Sequence, residues 1–469
     1  MEQKKVSIVH YIIVVAFCLL FRFIPPFGGL TPLGMGIIGA FIGAVYGWIT
    51  IDMLWPSLMA LLGAGLSIGM DAMLAASFGS LTIVSLILCM GCIGIAMKTG
   101  AFNWLVEKML SNKFMQGKAW FTIWLILLVA WFMGAHNPII MCIIFCAFFN
   151  SIFKQVGVQK NDKLVIFSYL GSAYCLMMGQ ILFPFVSTGL VLTMAYGRMF
   201  PDNPLDVVPY LLFMIIMGVV MTTVFVALMK FVFRVDASPI ANFKQEGGVR
   251  PCSKDQKTAL ILFVIFIILN VANALPLGTV KVFLNQFGLI GFCIVLSCVA
   301  AIMKGEDGKP LANLEELFHM CNWGQITMVG FIMVLSTYMM SADAGITTAM
   351  GNLLKPFMAL PPLVFIVFAL LFAAVLTNVA NNMLVCVLVM PFLVNFAMQI
   401  GMAPTAMVAL LFLLSQFAIA TPAASPVTAV AMTQEMADAN KMTSAALKII
   451  PFLFVISIVI GWPVAQIIF

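Results

Sequence analysis

This sequence predicts an all-α polytopic membrane protein: about eleven transmembrane helices plus two re-entrant helical hairpins in an inverted repeat. Three observations carry that reading. Of the 469 residues, 63% are hydrophobic and 9% charged, against about a quarter charged in soluble globular chains. Apolar runs long enough to span a bilayer recur from end to end. Two short polar breaks interrupt very apolar stretches, one in each half: Gly134-Ala135-His136-Asn137-Pro138 and Leu376-Thr377-Asn378-Val379-Ala380-Asn381-Asn382.

The elements follow in order. Residues 1–31 hold a first apolar run, about 6–24, behind Lys4 and Lys5. It could pass for a signal peptide, but Arg22-Phe23-Ile24-Pro25-Pro26 follows it and an A-x-A-like cleavage site does not, so a retained span is expected. A first repeat covers 32–234. Its spans fall near 32–50, 53–69 and 80–98. An amphipathic segment follows at 101–111, with Trp104, Leu105 and Leu110 apolar and Glu107 and Lys108 polar. Next come a stretch of about 119–153, broken at a hairpin tip near 136–138, a second broken stretch at about 164–197, and a span at 207–233. The longest polar stretch, 235–257, reads as a linker.

The second repeat, 258–469, has the same order. Spans fall near 258–274, 280–303 and 324–341, with a short segment at 345–354. The stretch 360–398 has its tip near 377–382. Another broken stretch, 402–434, contains Thr421-Pro422-Ala423-Ala424-Ser425-Pro426. The last span is about 443–468. Asn137 and Asn378 lie 241 positions apart, and Gly100 and Gly345 lie 245 apart. Landmarks matching in the same order argue for an internal repeat.

Charge sets the expected orientation. Lys98, Lys108, Lys113 and Lys118 precede the first hairpin, and Lys154, Lys160 and Lys163 follow it. The second hairpin has Lys355 and almost nothing else. Basic residues favour the cytoplasm, so the first hairpin opens inside and the second outside. The linker, with Lys230, Arg234, Lys244, Arg250, Lys254 and Lys257, falls inside, and the uncharged loop 25–31 outside. The N-terminus is then cytoplasmic, in the inner membrane of a bacterium.

Composition also narrows the function. The net charge of +6 sits in short loops, where it sets topology, so no nucleic-acid partner is implied. The 11 cysteines lie mostly in apolar spans; Cys89-x-x-Cys92 reads as packing and no disulfide framework is expected. No phosphate-binding G-x-x-x-x-G-K-[ST], dinucleotide fingerprint, H-E-x-x-H or paired Cys/His set occurs. A nucleophile–base set at membrane depth is also missing, so the chain does not read as an enzyme and needs no cofactor.

Polar backbone at membrane depth is tolerated only where protein buries it or it lines a cavity. Two such breaks at matching places point to the midplane site of a secondary transporter. Asn137-Pro138 is an N-cap followed by Pro in the first turn, and the helix N-terminus it starts suits an anion. Thr421-Pro422 and Ser425-Pro426 repeat that grammar. Asn378, Asn381 and Asn382 add amides at the second tip. With Thr377, Thr421 and Ser425 they offer the oxygen ligands that Na⁺ needs. No Arg/Lys cluster lies inside the spans, so helix N-termini, amides and co-bound cations would hold an anion. The competing reading is that each polar side chain only bonds a neighbouring helix. Gln180, Ser187 and Thr188 follow the first break as Thr421 and Ser425 follow the second, and Gln416 reads as packing. His136 has two readings: proton coupling, or a structural imidazole bonded to a carbonyl.

With these landmarks the chain resembles the divalent anion/sodium symporter family of the ion transporter superfamily, over nearly its whole length. The family's two Ser-Asn-Thr tip signatures fall on His136-Asn137-Pro138 and Thr377-Asn378-Val379. Its small-residue and Pro segments after each hairpin fall on Met178-Gly179-Gln180 through Pro184 and on Ala420-Thr421-Pro422. Lys98-Thr99-Gly100-Ala101-Phe102-Asn103-Trp104-Leu105 is similar to its turn into an interfacial helix. The resemblance implies an elevator-type homodimer that couples Na⁺ to uptake of a dicarboxylate, tricarboxylate or sulfate. It implies substrate contacts at Asn137, Pro138, Asn378, Val379, Thr421 and Pro422. Cation contacts fall on Ala135, His136, Asn137 and Gly179 in the first half. In the second they fall on Thr377, Asn378, Asn381, Asn382, Ala420 and Ser425. His136, Pro138 and Val379 depart from the family's hydroxyl residues. A shifted substrate range, a different ion stoichiometry and H⁺ coupling each fit those departures. An arsenite-type oxyanion exporter or a Na⁺/H⁺ antiporter would use the same fold.

Overall fold

The computed structural model describes residues 7–110, 117–241, 251–354, 360–422 and 424–469. Lys113, Lys244, Arg250, Lys355, Ser111 and Ala423 lie outside them. The described chain is helical throughout, with a single isolated β-bridge between Lys304 and Pro310.

The first span is α1 (Ile8–Val15), extended by a π turn (Ala16–Leu20) and a 3-10 turn (Phe21–Phe23). In α2 (Pro32–Thr50) the Thr31 hydroxyl accepts from Gly34 N at 3.2 Å ahead of Pro32, a favourable start for a helix. Then come α3 (Leu54–Ile68), the short α4 (Met70–Ala76) and α5 (Leu81–Lys98). The amphipathic α6 (Ala101–Leu110) follows Gly100 at φ +69°. The first hairpin is α7 (Ala119–Gly134) and α8 (Pro138–Val156). The broken stretch is α9 (Lys163–Gly179) and α10 (Ser187–Met199), followed by α11 (Val207–Ala227) and the short α12 (Ser238–Ala241).

The second half repeats this order. A Ser253–Gln256 capping box opens α13 (Lys254–Ala274). α14 (Thr279–Ile302) is broken at Gly288. The short α15 (Leu314–His319) precedes α16 (Trp323–Met339) as α4 precedes α5. The amphipathic α17 (Ile346–Leu354) follows Gly345 at φ +65°. The two glycines supply the same left-handed turn, which a Cβ disfavours. The second hairpin is α18 (Pro362–Leu376) and α19 (Asn382–Gln399). α20 (Pro404–Ser415) and α21 (Pro426–Met432) form its broken stretch. α22 (Ala439–Ile456), a π turn (Ser457–Gly461) and α23 (Trp462–Ile468) make the last span. The sequence misses α4, α12 and α15, which are too short to give a periodic signal.

Contacts at the helix ends sort into two faces. On one, Lys98 pairs with Glu316, Lys160 with Asp438, and Asp255 accepts from Glu306 N. On the other, Thr31 donates to Asp343 O, Asn352 to Gly28 O and Asn203 to Met398 Sδ. The first hairpin opens on the charged face: Asn161 N bonds Met436 O just beyond α8. The second opens on the opposite face, beside Asn203. The halves are therefore inverted. Among the described residues, seven helices are long and apolar enough to cross a bilayer. Apolar side chains of α13 and α14, such as Ile268 and Phe283, point outward, as a lipid solvent requires.

Candidate functional site

The first hairpin is held by close backbone packing. A Cβ on Gly134 would overlap Leu176 O, and one on Gly179 would overlap Trp131 O, so the end of α7 lies directly on the end of α9. The chain then turns through Ala135, which is buried, and His136. Asn137 is extended (φ −139°, ψ 89°) and its side-chain oxygen accepts from Ile140 N at 3.2 Å. Pro138 has no N–H to donate, which leaves the Ile139 N–H at the free end of α8.

His136 is 7% exposed. Its ring stacks on Phe102 (centroids 4.4 Å, 2°) and meets Phe263 edge-on (4.5 Å, 89°). Among the described residues neither ring nitrogen has a hydrogen-bond partner. The carbonyl partner expected from sequence is thus replaced by an aromatic cage contributed by α6 and α13.

The second tip is built differently. Four residues, Thr377–Ala380, turn before the N-cap, which is Asn381: its side chain accepts from Met383 N at 3.0 Å. Asn378 is buried, and its Oδ1 accepts from Ile419 N (3.1 Å) and Ala420 N (2.8 Å). Its Nδ2 donates to Ala374 O, and Thr421 Oγ1 donates to its carbonyl. Thr377 donates to Ser415 O at 2.8 Å, and Asn382 Nδ2 to Gln416 Oε1 at 3.0 Å. Asn378 and Thr377 thus clamp the hairpin to the break between α20 and α21. In the first half, Thr188 Oγ1 donates to Gln180 Oε1 at 2.7 Å and closes the α9–α10 break on itself.

Both tips meet at one cavity of about 300 Å³. The starts of α8 and α19 line one side, with Gln180, Ser187, Ser425 and Pro426. The opposite wall is α5, from Leu86 to Met97, and the start of α16, with Asn322, Gln325 and Met328. No Lys, Arg, Asp or Glu is among the described residues lining it. Its open end is marked by the exposed Met320 and Asn322, on the charged face near Lys98 and Glu316. At the far face Arg198 on α10 donates to Ala76 O (3.1 Å) and Thr337 Oγ1 (3.3 Å), tying α10 to α4 and α16. Each hairpin also packs on the other half: Cys142 of α8 lies against Val427 O, and α10 against α19.

Of the residues singled out from sequence, His136, Asn137, Pro138, Asn381, Asn382 and Ser425 line this cavity, as do Gln180 and Ser187. Asn378, Thr377, Gly179, Ala135 and Ala420 are buried behind it. Thr421 is half-buried, and Val379 and Pro422 are exposed away from it. Sequence reasoning missed Asn322, Gln325 and the wall of α5. They carry no local signal, because only tertiary packing brings α5 and the start of α16 to the hairpin tips. Cys89 also lies in this wall, with its Sγ 3.5 Å from Cys293 Sγ. No group of three or more His, Cys, Asp or Glu among the described residues could hold a metal ion.

The family model for CitMHS citrate transporters matches residues 41–415. No curated protein sequence matches the chain. Among solved structures, the chain is similar to the YdaH transporter from Alcanivorax borkumensis, with a TM-score of 0.55 at 12% identity. The match covers 85% of this chain and 90% of that one, and it shows a shared fold.

Proposed function

The chain belongs to the citrate transporter family, and from that premise we propose that it is a secondary active transporter that couples Na⁺ to uptake of a di- or tricarboxylate. One observation carries the reading. The N-termini of two long helices, α8 and α19, one from each hairpin, converge on a single cavity lined by no acidic side chain among the described residues. Such termini favour an anion through free N–H groups and the helix dipole. The Oδ1 atoms of Asn137 and Asn381 are spent on their own helices, so each amide offers its Nδ2 as a donor. Ser187 adds a hydroxyl.

The coupling cation belongs at the second tip, which is richest in oxygen. Thr377, Asn378, Asn382 and Ser425 supply amide and hydroxyl ligands there. The Thr377 hydroxyl donates to Ser415 O, and Asn378 Oδ1 holds two backbone N–H groups. Ion binding would therefore reorganise the clamp on the α20–α21 break, which links the cation to the shape of the site. At the first tip His136 offers no oxygen, and only carbonyls such as those of Ala135 and Gly179 are available.

With the charged face in the cytoplasm of a bacterial inner membrane, this conformation faces inward. Sliding the two hairpins against α5 and α16 would open the Arg198 side and close the other, an elevator motion, here in each protomer of a homodimer. This matches the divalent anion/sodium symporter pattern. A proton-coupled carrier is the second reading, because His136 stands in the cavity wall. The test is equilibrium binding. Succinate or citrate should raise the melting temperature of the purified protein when Na⁺ is present, and N381A should abolish the shift. No stabilisation by either acid, with Na⁺ or at any pH, would contradict the reading.

A further inference from the structure

The cavity has two unlike walls. The hairpin wall presents donors: the Asn137 and Asn381 amides, Ser187 and two helix N-termini, with Met177 and Met383 beside them; the Ser425 hydroxyl is already donated to Thr428 Oγ1. The opposite wall is soft and apolar. Met90 and Met97 of α5, Met320, Met328 of α16, and Met53 all face the same space. Seven of the 25 described lining residues are methionine, five of them on this wall, against 36 of 469 in the chain, so the side chain is concentrated here beyond its general use. Asn322 and Gln325 are the polar exceptions on this wall. They stand at the exposed start of α16, where Asn322 Oδ1 caps Gln325 N at 3.1 Å.

A sulfate ion or a compact tricarboxylate carries oxygens in every direction. Oxygens turned toward the methionines would leave water and gain no donor, which is unfavourable. A carboxylate with a hydrocarbon branch satisfies both walls at once, and flexible methionine side chains mould to branches of varied shape. Resting on the carrier reading above, we propose that the cavity selects organic acids with carboxylates at one end and hydrocarbon at the other. The substrate class is an alkyl- or aryl-branched dicarboxylate.

The experiment is a competition series on the full-length protein in liposomes and on the purified protein by thermal shift. The probes are succinate, 2-methylsuccinate, 2-ethylsuccinate, 2-benzylsuccinate, tricarballylate and sulfate. Each added methylene should tighten binding about fourfold, with tricarballylate and sulfate weaker than succinate. The variants M90Q and M97Q, at half-buried positions of the wall, should cut the methylene step to below about twofold. The wild-type series decides the matter even if those variants fold poorly. A flat or falling series among succinates, or tighter binding of sulfate or tricarballylate, would overturn the selectivity and leave the carrier reading intact. Binding of none of the carboxylates would overturn both.

Discussion

Asn137 and Asn381 are structural equivalents: each caps the second arm of its hairpin, and both face the same cavity from opposite halves of the chain. They lie 244 positions apart, in step with the 245 between Gly100 and Gly345. N137A and N381A should each lower uptake at least about tenfold, while losing a cap costs only about 1 kcal/mol of stability. Uptake in proteoliposomes beside a melting curve separates the two effects. Normal uptake by both variants would remove them from the site.

Asn378 has another task. It accepts two buried backbone N–H groups and donates to a third partner. N378A leaves those donors unpaired, at about 1–3 kcal/mol each. A clear fall in melting temperature is expected, larger than for N381A. An N378A protein as stable as wild type would show that these bonds do not hold the α20–α21 break in shape.

The span order, both hairpins and the inversion were legible because apolar length, helix breaks and loop charge are local signals. The register of the second tip was not. Thr377-Asn378-Val379-Ala380-Asn381-Asn382 contains three asparagines, and pairing Asn137 with Asn378 is three residues out. The reason is the extra turn, in which Val379 N and Ala380 N both bond Leu376 O before the cap at Asn381. The glycine spacing carried the better register. The polar part of the hairpin side was legible as tip residues. The α5–α16 wall was not, because apolar helices carry no local mark of which face borders a cavity.

His136 sits between Phe102 and Phe263 with both nitrogens unpartnered among the described residues. H136F keeps the ring stack and removes the burial of two polar atoms, so it should raise stability by about 1 kcal/mol or more. Its uptake should keep the wild-type pH profile. Loss of pH dependence with H136F would make this imidazole the proton carrier.

Gly134 and Gly179 allow the α7 and α9 backbones to touch. G134A or G179A forces them apart. Overpacking of this kind costs about 1–3 kcal/mol or more. Both variants should melt lower and lose uptake together. Wild-type melting of either would show that the tip tolerates displacement.

Arg198 fastens α10 to Ala76 O and Thr337 at the face away from the cavity mouth. R198A should let that side open. In an S336C background, at a buried position of α16 that Arg198 does not touch, labelling by an impermeant maleimide from that face should rise on the order of tenfold. Unchanged labelling would mean that Arg198 does not hold the two parts together.

The proposed function stands on one anion site formed by the two hairpin N-termini in a cation-driven carrier. Its most direct test is uptake of labelled succinate, citrate and sulfate into proteoliposomes under an imposed Na⁺ or pH gradient. Uphill uptake of a carboxylate driven by Na⁺, and none of sulfate, is the expected result. Carboxylate uptake driven by the pH gradient alone would contradict the Na⁺ coupling, and gradient-driven uptake of none of the three would contradict the carrier itself.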